Sequence, residues 1–123
     1  MTEKALCSIE IKRASEKDLP DVKDLWQKIF GDDGEFIDRF YEAFPIKDNA
    51  FVAKIGEKTV GMVNALDCKL RYENEIFCGK YIYALAVSDD YRGKGIARAL
   101  LEACEEGSFV LLVPETPKLF DMY

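Results

Sequence analysis

A four-residue stretch constrains this chain more than any other. Arg92-Gly93-Lys94-Gly95 lies between an apolar run, Ala84-Leu85-Ala86-Val87, and a run with helical spacing, Ile96, Ala99, Leu100 and Ala103. The order is strand, polar turn, helix, and the glycines fall where the helix must begin. A helix start exposes unpaired N–H groups and the positive end of the helix dipole. Glycine there lets the backbone take a positive φ and approach a ligand closely. Such a turn suits an anion, phosphate above all, and Arg92, Lys94 and Arg98 add positive field around it. The same residues also fit a glycine-eased turn with solvated charges, and the local pattern admits both. Two phosphate motifs fail on residues: Arg98 stands where a dinucleotide fingerprint needs its third glycine, and GxxxxGK[ST] is absent.

The rest of the chain supplies context for the turn. Ser8 to Arg13 alternates polar and apolar residues, as a strand does. Ser15 and Asp18 read as a helix start, with Pro20 in the first turn, and Leu19, Val22, Leu25, Trp26, Ile29 and Phe30 recur at helical spacing up to Gly31. Phe36, Ile37, Phe40, Tyr41 and Phe44 form a second apolar face, closed by Pro45. Three strands follow, Ala50 to Ile55, Thr59 to Tyr72 and Ile76 to Val87, joined by turns at Gly56-Glu57-Lys58 and Glu73-Asn74-Glu75. They predict an antiparallel meander. A helix over Gly95 to Glu106 and the apolar strand Phe109 to Val113 then make a parallel crossover with the last of the three. The predicted fold is α/β (α+β), a mixed, mainly antiparallel sheet flanked by helices, in the order β-α-α-β-β-β-α-β. Residues 1–123 make a single domain, long enough to bury roughly 65% of its unfolded surface.

Composition removes several function classes. The net charge of −6 opposes nonspecific nucleic-acid binding, which needs a basic face, and makes the three cations of Arg92 to Arg98 a local inversion of sign. With no histidine, a Ser-His or Cys-His nucleophile is excluded. Cys7, Cys68, Cys78 and Cys104 form no CxxC pair, which argues against zinc; they read as buried or half-buried reduced thiols in a cytoplasm. No apolar run reaches the ~20 residues that span a bilayer, and no membrane association is expected.

The stretch Arg92-Gly93-Lys94-Gly95-Ile96-Ala97, placed after an apolar strand and opening a helix, resembles the Q/R-x-x-G-x-G/A signature of the GNAT superfamily of acetyl-CoA-dependent N-acyltransferases. The upstream order of one strand, two helices and three strands is similar to that family as well. The resemblance implies transfer of an acetyl group from acetyl-CoA to a primary amine by direct attack, with no metal. It implies that the backbone of Arg92, Gly93, Lys94, Gly95, Ile96 and Ala97 binds the coenzyme A pyrophosphate. Leu85, Ala86 and Val87 would pair with the pantetheine arm, and the Leu85 amide would face the thioester carbonyl. The strand carrying them would splay from Phe109 to Val113 to open a cleft. Tyr123, in Leu119-Phe120-Asp121-Met122-Tyr123, falls at the position of the family's general acid. Many members carry a glutamate base on the fourth strand; Tyr81 and Tyr83 stand there instead, and their plainer role is packing on the sheet. A water relay to backbone or an exposed carboxylate is then the expected base path.

The family continues into two further strands for which this chain has no residues. The sequence therefore reads as C-terminally truncated or completed by another chain, as in a homodimer through the open edge beside Phe109 to Val113; a reduced family member is the third reading. Its combination of motifs also resembles the first domain of larger bacterial acetyltransferases. The alternative functions are a non-catalytic acyl-CoA-binding or regulatory domain, and an interaction module that pairs through its sheet edge. Acceptor choice is expected from the first two helices and their loop, where Asp32, Asp33 and Glu35 are either an attraction for a cationic amine or a solvated helix start.

Overall fold

The computed structural model describes residues 9–105 and the strand Val110–Leu112. Strand β1, Ile9–Arg13, leads through the 3-10 turn Glu16–Asp18 into α1, Leu19–Phe30, which has Pro20 in its first turn. Helix α2, Gly34–Ala43, starts where Asp33 accepts a hydrogen bond from the Glu35 N–H at 3.1 Å. A single turn that the sequence pattern does not signal, α3, Ile46–Asn49, follows Pro45. The meander is β2, Ala50–Ile55, β3, Lys58–Tyr72, and β4, Glu75–Val87. A second 3-10 turn, Asp89–Tyr91, precedes α4, Ile96–Ala103, and β5 is Val110–Leu112.

The five strands form one sheet in the order β1-β2-β3-β4-β5. The first three pairings are antiparallel and β4 pairs with β5 in parallel, as the crossover predicts. The β3–β4 hairpin turns through Glu73 and Asn74, both at positive φ (48° and 69°), the conformation that matches the twist of tight hairpins.

Both faces of the sheet are covered. Val22, Leu25 and Trp26 of α1 and Ile37 and Tyr41 of α2 pack on Val52, Met62 and Ala86. On the other face Ile96 and Leu100 of α4 pack with Val60, Val63, Ala65, Ile82 and Leu85. Burying each such aliphatic side chain contributes about 1.5–3 kcal/mol before entropy is counted. Helix α4 sits low on β3 because Gly61 has no side chain: a Cβ there would lie 3.1 Å from Ile96 Cγ2 and 3.2 Å from Leu100 Cδ1.

One buried ion pair ties the first helix to the sheet. Lys54 Nζ lies 2.6 Å from Asp18 Oδ1, and the Ser15 N–H donates to Oδ2 at 2.8 Å. Burial alone would raise the Asp18 pKa, but the hydrogen bonds from Lys54 and Ser15 outweigh it and hold the carboxyl below its ordinary value. Asp18 is thus more acidic folded than unfolded. Its contribution is present above about pH 4 and is lost as pH falls through the folded value. Asp18→Asn should flatten the acid limb of the stability–pH curve. It should also cost roughly 3 kcal/mol at neutral pH, because Lys54 loses its counter-charge while largely buried. Urea titrations at stepped pH check this; parallel acid limbs in the two proteins would remove the pair from the account.

Candidate functional site

The end of β4 is built differently from the rest of the strand. Met62 faces Ala86 and Asn64 faces Tyr83, so Val63 alone spans Ala84 and Leu85. This is a β-bulge, and Ala84 takes a left-handed φ of 58° to make it. The described residues of β5 pair with β4 only over Lys80 to Ile82. Among the described residues no strand pairs with Tyr83 to Val87 on that side, the side on which a pantetheine arm is expected. Leu85 and Ala86 are 3% and 1% exposed, with side chains in opposite core layers, so only their backbones can meet a ligand.

Past β4, the Ser88 N–H bonds to the Val60 carbonyl at 2.8 Å and closes the ladder. The Arg92 side chain folds back: its Nε donates to the Val87 carbonyl at 3.3 Å and its guanidinium lies 3.3 Å from Asp89. Arg92 therefore braces the turn, a role the sequence pattern does not separate from a contribution to the anion field. Gly93 and Gly95 both take positive φ, 78° and 81°. Gly95 is the N-cap of α4 and no side chain caps this helix. The N–H groups of the first turn, Ile96 to Arg98, have no intrahelical partners by position, which leaves them to solvent or ligand.

Beside these amides lies a cavity of about 370 Å³, lined by Val87, Tyr91, Gly93, Gly95, Ile96 and Arg98 among others. Arg92 and Ala97 also border it, while Lys94 is exposed and outside its lining. The structure thus brings Val87 and the glycine turn together at one concave place. Tyr123 lies outside the described residues, as do Cys7, Phe109 and Val113.

The tyrosines of β4 divide. Tyr83 stacks on Phe40, with centroids 5.3 Å apart and planes 16° apart, and meets Trp26 edge-on at 5.8 Å. Its packing role is evident, and a glutamate there would be buried against rings. Tyr81 is half-buried opposite Leu66. The acidic loop has local employment as well: Asp32 accepts from Trp26 Nε1 at 2.8 Å, Asp33 caps α2, and Glu35 pairs with Arg39 at 2.7 Å.

Of the cysteines, Cys104 is buried, and desolvation pushes its thiol up to about 11, away from reactivity. Cys68 is half-buried. Cys78 is exposed, contrary to the buried or half-buried expectation, because it lies on the part of the β3–β4 hairpin beyond the described pairings with β2 and β5. Among the described residues no three His, Cys, Asp or Glu side chains converge as metal ligands, and no helix is long and apolar enough to cross a membrane.

A feature that the sequence reading passed over lies beneath the bulge. Asn64 is wholly buried in β3, and its Oδ1 accepts from the Tyr41 hydroxyl at 2.7 Å. Its only sequence signal is a lone amide in the apolar run Met62-Val63-Asn64-Ala65.

Strand, bulge, uncapped glycine turn and helix follow one another within one mixed α/β domain. The acetyltransferase (GNAT) domain profile matches residues 10–110, and the chain belongs to that family. No curated protein matches it in sequence. Among solved structures it is similar to a GCN5-related N-acetyltransferase from Kribbella flavida, with TM-score 0.77 and 18% identity over 93% of this chain and 32% of that one. It is similar to the aminoglycoside N-acetyltransferase AAC(6')-Iy in complex with CoA, with TM-score 0.73 and 15% identity over 92% of this chain and 80% of that one. A "predicted acetyltransferase" with acetyl-CoA from Clostridium acetobutylicum gives TM-score 0.72 and 14% identity over 94% and 88%. These likenesses show the fold. The chain spans 32%, 30% and 31% of the Kribbella, Anabaena variabilis and Enterococcus faecalis structures it resembles.

Proposed function

We propose that this chain is an acetyl-CoA-dependent N-acetyltransferase that moves an acetyl group to a primary amine by direct attack. The observation that carries the reading is the uncapped N-terminus of α4, with Gly93 and Gly95 in left-handed conformations beside an open cavity. An unpaired set of amides at a helix dipole's positive end suits a diphosphate. The residues for it are Arg92, Gly93, Lys94, Gly95, Ile96 and Ala97, through their backbone. The backbone of Leu85, Ala86 and Val87 would take the pantetheine arm, because it continues past the described pairing with β5.

The chemistry then needs four events. The neutral amine attacks the acetyl carbon, and negative charge collects on the former carbonyl oxygen, to which the Leu85 N–H would donate a hydrogen bond. The C–S bond breaks and the sulfur takes a proton from an acid; Tyr123 is assigned that part by its place in the chain. The nitrogen gives up its extra proton to a base. With Tyr83 held among rings, that proton leaves through water. The acceptor is an amine of undetermined type, and the name aminoglycoside N-acetyltransferase speaks for AAC(6')-Iy alone.

Coenzyme A at 100-fold over its Kd should raise the melting temperature by about 10 °C, from about 2.7 kcal/mol of linkage. Acetyl-CoA with a panel of polyamines, aminoglycosides, amino acids and peptide N-termini should then release free thiol. No thermal shift would overturn the proposal. A shift without thiol release from any amine would select the non-catalytic acyl-CoA-binding reading, which the ring-packed Tyr83 in the family's glutamate region favours.

A further inference from the structure

The Asn64 carboxamide presents a specific problem. Its oxygen is held by Tyr41, and burial raises the Tyr41 pKa so that the phenol stays a donor at neutral pH. Its nitrogen is equally enclosed and has no hydrogen-bond partner among the described residues. A bare buried amide N–H is rare in folded proteins, and ordered water is its commonest unseen partner. If Asn64 only filled space, an apolar residue of similar volume would do so without this cost.

What stands across from Asn64 is the bulge. Asn64 pairs in register with Tyr83, and the next residue, Val63, faces both Ala84 and Leu85. A bulge leaves the extra residue's polar groups out of the ladder. The unpartnered Asn64 donor on β3 therefore lies beside the extra residue of β4, where a bulge interrupts the regular ladder. That point lies on the α1 and α2 face, since Tyr41 reaches Asn64 from α2 and Ala84 packs with the same core layer.

We propose that Asn64 is a positioning residue: clamped by Tyr41, its carboxamide holds a buried water in the β4 bulge and thereby fixes the direction of the Leu85 N–H. The water accepts from Nδ2 and donates to a bulge carbonyl, which satisfies both strands. Asn64 does not touch the acyl group. It sets the pitch of Ala84 and Leu85, whose backbone would. The inference rests on the acetyltransferase reading for its consequence, but the water does not.

Two measurements test it on the full 123-residue chain. In the free ¹⁵N-labelled protein, the Asn64 side-chain amide should show a cross-peak to long-lived water; its absence overturns the proposal without any variant. With [carbonyl-¹³C]acetyl-CoA bound, the carbonyl resonance should move downfield, as a hydrogen-bonded thioester does. Asn64→Leu should lose that displacement and Tyr41→Phe should lose part of it, both with coenzyme A affinity unchanged. A displacement retained in Asn64→Leu, or lost together with coenzyme A binding, would overturn the positioning role. Should the wild-type chain show the water but bind no acetyl-CoA, the acetyltransferase reading fails and Asn64 is left as a purely structural water ligand, which also ends its role in positioning.

Discussion

Gly93→Asp is expected to weaken coenzyme A binding by about 100-fold while the chain stays folded. Gly93 sits at φ 78°, and a Cβ added there would meet nothing within 4 Å, so the substitution creates no clash. Holding a residue with a side chain in the left-handed region costs roughly 1–2 kcal/mol. The new carboxylate would stand near the amides assigned to the diphosphate, and like charges ~4 Å apart repel by about 1–4 kcal/mol between bulk-water and near-surface dielectric. Taken at about 3 kcal/mol, that repulsion is two decades in Kd, while the conformational cost falls on folding because the turn is already left-handed without ligand. Gly93→Ala carries only the conformational part and should lose about 1–2 kcal/mol of stability while keeping its coenzyme A affinity. Isothermal titration of the three proteins separates the two contributions. Equal affinity in wild type and Gly93→Asp would place the diphosphate elsewhere.

The second large effect is on stability. Trp26 is 0% exposed and meets Phe36, Phe40, Tyr41 and Tyr83 edge-on, with centroids between 5.2 and 6.3 Å. Trp26→Ala should cost about 3–5 kcal/mol, from lost transfer energy and the hole left among four rings. It also strips Asp32 of the indole N–H that it holds at 2.8 Å. Against a typical total of about 5–15 kcal/mol, that leaves a marginal domain. Urea denaturation reads it directly, and Trp26→Phe should recover part of the loss. A cost below about 1 kcal/mol would mean that the ring cluster packs around an alternative centre.

These two sites were legible in the sequence to different degrees. The helical recurrence of Leu19, Val22, Leu25 and Trp26, and the alternation that leads up to Arg13, reflect burial on one face, and burial is what residue type records most directly. The glycine turn was legible for a related reason: two glycines where a helix begins mark backbone that a side chain would hinder. The bulge left no such mark. Tyr83-Ala84-Leu85-Ala86 is uniformly apolar, and Ala84 reaches φ 58° without a glycine because its neighbours in two core layers hold it there. Asn64 was passed over because a single polar residue within a strand carries no period. Arg92 looked like part of an anion field, and only its contacts with Val87 and Asp89 reveal a brace. Each miss concerns a tertiary partner, which local pattern cannot encode.

The missing side chain at Gly61 has a consequence for the glycine turn. Because Ile96 and Leu100 rest almost directly on the backbone of β3, that strand acts as the seat on which the first turn of α4 is levelled. The height of the outward-facing amides above the cavity is set by a residue on the far side of the helix from any ligand. A larger residue at position 61 would therefore shift the turn that we propose binds coenzyme A without altering a single residue of that turn.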